Sequence, residues 1–140
     1  MMDRVQEIFR DDRLIQDFGM KLIEARDGYA KVSAVVEERF LNAHNIGHGV
    51  LTFAVADAAF ALSANAVSDA TGVNWSFNIL RAAKPGDTLI AESRAIHKGR
   101  RQIVCELSVT TEQGRLLAKG IFTALPVSRE QFFSGEKNDS

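Results

Sequence analysis

The sequence predicts an α+β fold in which an antiparallel sheet wraps around one long central helix. In the segment from Val50 to Ala66, thirteen of the seventeen residues are apolar and they occur on every side, which is typical of a buried helix rather than an amphipathic one. Two strand candidates precede this helix and four follow it. Because short turns with Gly or Pro join most of these candidates, we expect neighbouring strands to run antiparallel.

Length, charge and cysteine content narrow the class of protein. The chain has 140 residues and a net charge of −1, which fits one ordinary domain without a strongly basic surface for nucleic acid. The single cysteine, Cys105, excludes an intrachain disulfide and a metal site built from several cysteines. Residues 1–12 contain no apolar run, and the central helix is too short for a membrane span. We therefore expect a cytoplasmic protein with no nucleic-acid or membrane partner.

The chain divides into a short helical segment, one main domain and a tail. A helical segment is expected over residues 1–18, where apolar residues recur among charges and Asp12 is placed to cap a second turn. Gly19 ends this segment. Residues 19–127 form the main domain, and 128–140 is expected to be a flexible tail because its composition is polar and charged. Within the main domain, the expected strands are 20–26, 29–37, 73–81, 88–97, 102–111 and 115–125.

The polar segment that leads into the central helix carries features that indicate chemistry. His44 and His48 lie there beside Asn42 and Gly49. The first amides of a helix have no partners within it, and the helix dipole is positive at that end. A glycine also lets a ligand approach the backbone closely. Gly49 therefore offers a site for a carbonyl oxygen or an oxyanion.

Asp57 is the only residue of the central helix that can carry a charge. Burying an unpaired carboxylate is costly, so Asp57 is either a structural acid held by hydrogen bonds or a functional group, and the glycine and histidine residues nearby favour function. Asp57 follows Gly49 by eight residues, which is roughly 12 Å along a helix. Groups acting on one substrate carbon must approach their targets within about 3–3.5 Å. One helix cannot supply both groups, whereas two helices side by side in a two-fold dimer can. A partner copy would also cover the remaining apolar surface of the helix.

The pattern of Asn42, His48-Gly49 and Asp57 on a helix between these strands resembles the motif of the hotdog-fold acyl-coenzyme A thioesterases. The resemblance is in particular to the phenylacetate-degradation (PaaI-like) branch, and it covers about residues 19–127. It implies a hotdog fold and a thioester hydrolase that acts on an aryl- or medium-chain acyl-coenzyme A. It also implies a homodimer or a dimer of dimers, and no cofactor, since coenzyme A is part of the substrate.

The resemblance also implies roles for individual residues. The amide of Gly49 polarises the thioester carbonyl, and Asp57 acts as general base or nucleophile. A hydroxyl residue on the strand after the helix helps to place water, and this role falls on Ser76. Asn42 and His48 support the motif, which makes these five residues the expected catalytic set.

The expected substrate-binding residues are Val50 and a basic hairpin. Val50 stands where the family has a second glycine, so its side chain is expected to narrow the pocket beside the thioester. Lys98, Arg100 and Arg101 cluster at a hairpin, where they either hold the phosphates of coenzyme A or form a solvated tip.

Two other functions remain open at this point. One is a hotdog dehydratase or hydratase, although the His followed by Phe-Pro of the dehydratases and the Asp-x-Asn-Pro-x-His pattern of the hydratases are both absent. The other is a non-catalytic acyl-coenzyme A-binding protein that serves as a sensor or an assembly subunit, which the departure at Val50 keeps open.

Overall fold

The computed structural model describes residues 2–128 and shows one long helix packed against a six-stranded antiparallel sheet. The order of strands in the sheet is β1-β2-β4-β5-β6-β3. The predicted fold class is therefore confirmed. The strands are β1 (Lys21–Arg26), β2 (Tyr29–Val35), β3 (Ala70–Ile79), β4 (Thr88–Lys98), β5 (Ile103–Thr111) and β6 (Leu116–Pro126).

The N-terminal segment forms two short helices, α1 (Met2–Asp11) and α2 (Arg13–Asp17). The side chain of Asp12 accepts a hydrogen bond of 3.0 Å from the amide of Ile15, which is the cap that the sequence predicts. Gly19 follows with a φ of 66°, a left-handed conformation that ends the segment and favours glycine. Arg4 pairs with Asp69 at 2.9 Å and so ties α1 to the turn that precedes β3.

The central helix is α3 (Gly49–Asn65), which begins one residue before the predicted segment. Alternate residues of the central strands face it, so that the inner side of β5 is fully buried from Ile103 to Val109. Because strands that lie against a helix must present every second side chain to it, the alternation in the sequence predicts the inner face correctly.

Strand β3 begins earlier than the sequence predicts. Thr71 and Gly72 look like turn residues, but they pair with Leu125 and Ala124 in β6. A Cβ atom on Gly72 would lie 2.7 Å from the indole ring of Trp75, so this glycine is needed for close packing rather than for a turn.

The sheet does not cover the whole of α3. Four side chains of the helix stay at least partly exposed, and their spacing places them on one side of it. We call this side the open stripe, and its members are Val50, Phe53, Asp57 and Ala61. Since most of these residues are apolar, the prediction that α3 needs a second cover agrees with the exposed surface of the single chain.

The remaining expectations concern the tail and membrane spanning. Apart from Ser128, the expected tail lies outside the described residues. Within the part of the chain that the structure describes, none of the helices has the length and apolar character that crossing a membrane would require.

Candidate active site

The loop before α3 is held by backbone hydrogen bonds on two sides. The amide of Gly47 donates to the carbonyl of Ala83 at 2.7 Å, and the amide of His48 donates to the carbonyl of Phe40 at 2.8 Å. Asn42 shapes the loop from within, because its Oδ1 accepts from the amide of His44 at 2.9 Å. These bonds fix the position at which α3 begins.

The first turn of α3 leaves one amide free. His48 is the N-cap, and its Nδ1 accepts a hydrogen bond of 3.0 Å from the amide of Val50. The amide of Leu51 donates to the carbonyl of His48. Among residues 2–128, the amide of Gly49 has no acceptor. A carbonyl oxygen that approaches the start of the helix can therefore accept from Gly49 without displacing a protein group.

Asp57 lies on the open stripe, and within residues 2–128 its carboxylate has one hydrogen-bond partner, the indole of Trp75. The Nε1 of Trp75 donates to Oδ1 of Asp57 at 2.8 Å. Burial raises the pKa of the Asp57 carboxyl group, the hydrogen bond from Trp75 lowers it, and the negative charge of Asp12 raises it, with a net result above the ordinary value. A half-buried carboxylate with a raised pKa is a stronger base than an ordinary one, which suits a group that takes up a proton during a reaction.

Gly49 and Asp57 do not meet within one chain. The side chain of Ile79 lies against Gly49, whereas Trp75 lies against Asp57. Trp75 and Ile79 are separated by about 13 Å along β3, since a strand rises about 3.3 Å per residue. The separation agrees with the roughly 12 Å expected along the helix.

Ser76 does not lie beside Asp57 in this chain. Trp75 is paired with Phe122, whose ring packs against Phe60 of α3, so Trp75 faces the helix. Ser76 is the next residue along the strand and lines a cleft with Glu106 on the opposite side of the sheet. The strand residue that reaches Asp57 is Trp75, which the sequence does not predict as a site residue. Its alternation with Phe77 and Ile79 does place it on the helix side.

Gly49 and Val50 line different clefts. Gly49 lies with Asn42, Thr52 and Ile79 in a cleft of about 280 Å³ at the end of β3. Val50 is 59% exposed. It lines a separate cleft of about 210 Å³, which we call the apolar cleft. The lining residues of the apolar cleft are Phe18, Arg39, Phe40, Leu41, His48, Val50 and Leu51.

The basic hairpin lies at the opposite end of the sheet from Gly49. Lys98 pairs with Ile103 at the tip of β4 and β5, and its Nζ lies 3.1 Å from a carboxylate oxygen of Asp27. Arg100 and Arg101 are exposed and line a shallow polar cleft at this tip. Lys98 is therefore partly neutralised, while the two arginines remain available for an anion.

The described residues contain no cluster of three or more His, Cys, Asp or Glu side chains that could hold a metal ion. The groups that the site offers are a free helix amide, a half-buried carboxylate and apolar walls. Such a set can polarise a carbonyl group and support the addition of water or of a carboxylate to it.

Residues 44–118 match the thioesterase superfamily. The chain belongs to this family and has the hotdog fold. A protein of Archaeoglobus fulgidus with a provisional esterase name is 31% identical over 132 residues, which cover 93% of this chain and 86% of that protein.

Two further relatives relate the chain to coenzyme A chemistry. The acyl-coenzyme A thioesterase PaaI of Escherichia coli is 29% identical over 79% of this chain and 80% of that protein. The structure of the E. coli PaaI protein, from the phenylacetic acid degradation operon, superposes with a TM-score of 0.87 at 25% identity, covering 91% of this chain and 93% of that one. A hypothetical thioesterase of Streptococcus pneumoniae, solved with coenzyme A, gives a TM-score of 0.81 at 26% identity, over 88% and 97%.

Proposed function

We propose that this chain hydrolyses acyl-coenzyme A thioesters at a site shared between two copies. The observation that carries this proposal is the free amide of Gly49 at the start of α3, with Asp57 on the same helix too far away to act on the same carbonyl carbon. The activity printed for PaaI of E. coli and the coenzyme A bound to the S. pneumoniae relative support the substrate class.

The two edges of the sheet differ in a way that favours pairing through β3. The edge strand β1 carries Lys21, Glu24 and Arg26, and charged side chains on an edge discourage pairing with another strand. The ten-residue edge strand β3 contains no charged residue. An uncharged, long edge is a template for a second strand, so two copies joined at β3 would form one continuous sheet.

Antiparallel pairing of two β3 strands would bring the separated groups together. The ring of Phe53 lies between Gly49 and Asp57 on α3 and contacts the ring of Phe77 on β3, with centroids 5.6 Å apart. A two-fold axis near this contact would place Gly49 of each copy beside Asp57 of the other. The dimer would thus contain two equivalent sites and would cover the open stripe of α3.

The reaction then follows from the groups at each site. The amide of Gly49 donates to the thioester oxygen and stabilises the negative charge that develops there. Asp57 of the other copy either takes a proton from an attacking water or adds to the carbonyl carbon itself, giving an anhydride that water opens. In both routes the carbon–sulfur bond breaks, coenzyme A leaves as the thiolate, and the acyl group becomes a carboxylate. No cofactor takes part.

The apolar cleft is the proposed place for the acyl group. Its walls are mostly aromatic and aliphatic, and it begins at the first turn of α3, where His48, Val50 and Leu51 line it. Val50 forms part of the wall, so its side chain would limit the width of the acyl group. An aryl or medium-length alkyl group fits this surface better than a charged one.

Pairing through β3 would also bring the basic hairpin of one copy near the Gly49 end of the other copy. The hairpin lies at the Gly72 end of the sheet, and in an antiparallel pair this end of one copy lies near the Gly49 end of the other. Arg100 and Arg101 would then lie on the side from which coenzyme A extends, and guanidinium groups bind phosphate well. Lys98 would add less because Asp27 already pairs with it.

A complementation experiment tests the shared site. Asp57→Asn and Gly49→Val chains, each inactive alone, would be combined into heterodimers through two different tags, and the release of free thiol from a panel of acyl-coenzyme A substrates would be measured. Each heterodimer would contain one intact site and one site with both defects, so about half of the wild-type turnover should return. Heterodimers without recovered turnover would contradict the shared site, and wild-type protein that releases no thiol from any substrate would contradict the function.

A further inference from the structure

We propose that Trp75 is a positioning residue that holds one carboxylate oxygen of Asp57 and leaves the other oxygen to react. The bond of 2.8 Å runs from the indole Nε1 to Oδ1. Among the residues that the structure describes, Oδ2 of Asp57 has no partner. The role rests on the proposed function, because it concerns the group that attacks the thioester or activates water.

The position of the indole is set by its surroundings on β3. Trp75 lies opposite Phe122, a fully buried residue of β6, and so faces α3. The ring also lies over Gly72, where a Cβ atom would come within 2.7 Å of Cζ2. The missing side chain at Gly72 thus makes room for the indole, and the sheet register directs its N–H group at Asp57.

The chemistry of indole limits what Trp75 can do. An indole N–H is a donor only, so Trp75 cannot accept a proton from water as a base would. A donor bound to Oδ1 favours the ionised carboxylate and fixes its rotation about the Cβ–Cγ bond. The consequence is that Oδ2 is the oxygen that accepts the proton or forms the new bond.

In the part of the chain that the structure describes, few charged groups act on Asp57. Asp57 is the only ionisable residue of α3, and β3 has none. From the helical segment, the carboxylate of Asp12 disfavours the ionised form, as does burial, while Trp75 favours it. In the proposed dimer, His48 of the second copy would also approach Asp57, so it must be controlled for.

The first test is the Trp75→Phe variant, which keeps an aromatic ring and removes the donor. We expect kcat to fall about 10-fold at neutral pH with little change in KM, and the acid limb of the pH–rate profile to move up by about one unit, the usual worth of a bond to a charged group. The same substitution in an Asp57→Asn background should cost no further activity, since Trp75 acts through Asp57. Circular dichroism and light scattering would check that the fold and the oligomer persist.

The second test needs no change at Trp75. Trp75 is the only tryptophan of the chain, so the tryptophan fluorescence of the wild-type protein reports on this one indole. The emission should titrate with the same midpoint as the acid limb, and Asp57→Asn should abolish the titration. Asp12→Asn should move the midpoint to lower pH, and His48→Asn, which keeps a capping oxygen, should leave the titration in place.

Each result bears on one claim. A wild-type acid limb in Trp75→Phe, or an unchanged fluorescence titration in Asp57→Asn, would overturn the role of Trp75 while leaving thioester hydrolysis intact. A wild-type protein that hydrolyses no acyl-coenzyme A would instead remove the reaction itself, and with it the positioning role.

Discussion

The Cδ1 atom of Ile79 lies 3.1 Å from the position that a Cβ atom on Gly49 would occupy. The end of β3 therefore packs closely over the start of α3, and a side chain on Gly49 would fill the space between the first turn of the helix and Ile79. Because the neighbouring atom is the end of a flexible side chain, the fold itself can accommodate a small substituent there.

This relationship predicts opposite effects for two neighbouring glycines. Gly49→Ala keeps the backbone N–H but places a methyl group beside it, so kcat/KM should fall by up to about 10²–10³-fold, the loss that follows when one oxyanion donor can no longer be reached. The free energy of unfolding should change by less than about 1 kcal/mol. Gly47→Ala should mainly destabilise the fold, by about 1–3 kcal/mol, because its Cβ would lie 2.9 Å from the Cβ of Ala83 and 3.2 Å from the carbonyl oxygen of that residue. Thermal unfolding and initial rates, measured on both variants, would separate the two effects, and normal turnover in Gly49→Ala would remove Gly49 from the site.

The carboxylate of Asp57 should dominate turnover. Asp57→Asn should lower kcat about 10²–10⁴-fold, the range for a positioned acid or base. Binding of a non-hydrolysable acyl-coenzyme A analogue should persist, because the proposed phosphate and acyl contacts lie elsewhere. Single-turnover kinetics and calorimetry would measure the two quantities. Full activity in Asp57→Asn would assign a purely structural role to the acid.

The raised pKa of Asp57 also predicts how stability depends on pH. When the pKa is higher in the folded than in the unfolded state, ionisation costs folding free energy as the pH rises, and the cost vanishes below the unfolded value of about 3.9. Asp57→Asn should therefore match the wild type near pH 3.5 and exceed it in stability at pH 7, with the indole still donating to the amide oxygen. Urea unfolding at both pH values tests this, and a variant less stable than wild type at pH 7 would contradict it.

The contrast between the two sheet edges predicts which substitution dissociates the dimer. Val73→Lys places a charge on β3, and Ile23→Lys places the same charge on β1, at positions that are 45% and 51% exposed. Only Val73→Lys should shift the protein towards monomers and lower turnover, because a lysine on a paired edge must be desolvated. Light scattering at micromolar concentration would show the difference. Equal behaviour of the two variants would argue against pairing through β3.

The width of the apolar cleft should depend on Val50. Val50→Ala removes most of this wall residue and keeps a good helix former. We expect unchanged rates with small acyl groups and higher kcat/KM with wider aryl groups. A comparison of straight-chain and aryl substrates would check the expectation. A general collapse of activity would show that Val50 contacts the substrate in a required way.

Local patterns were enough to predict most of the fold. The cap at Asp12, the buried helix from Val50 and the alternation of the later strands each depend on interactions close in sequence, and they are confirmed. The predicted start of β3 at residue 73 is wrong, because Gly72 looks like a turn residue until the indole that packs on it is known. Residue type and spacing show which residues are unusual, but they do not show which side chain packs into the space that a glycine leaves.

The sequence by itself determined that a free helix amide at Gly49 and a lone acid at Asp57 lie two turns apart, since helix geometry is local. Only the tertiary structure decided that the partner of Asp57 is Trp75 and that Ser76 lies on the other side of the sheet. The physical reason is register. The pairing of β3 with β6 decides which side chains face the helix, and a shift of one residue would exchange Trp75 for Ser76.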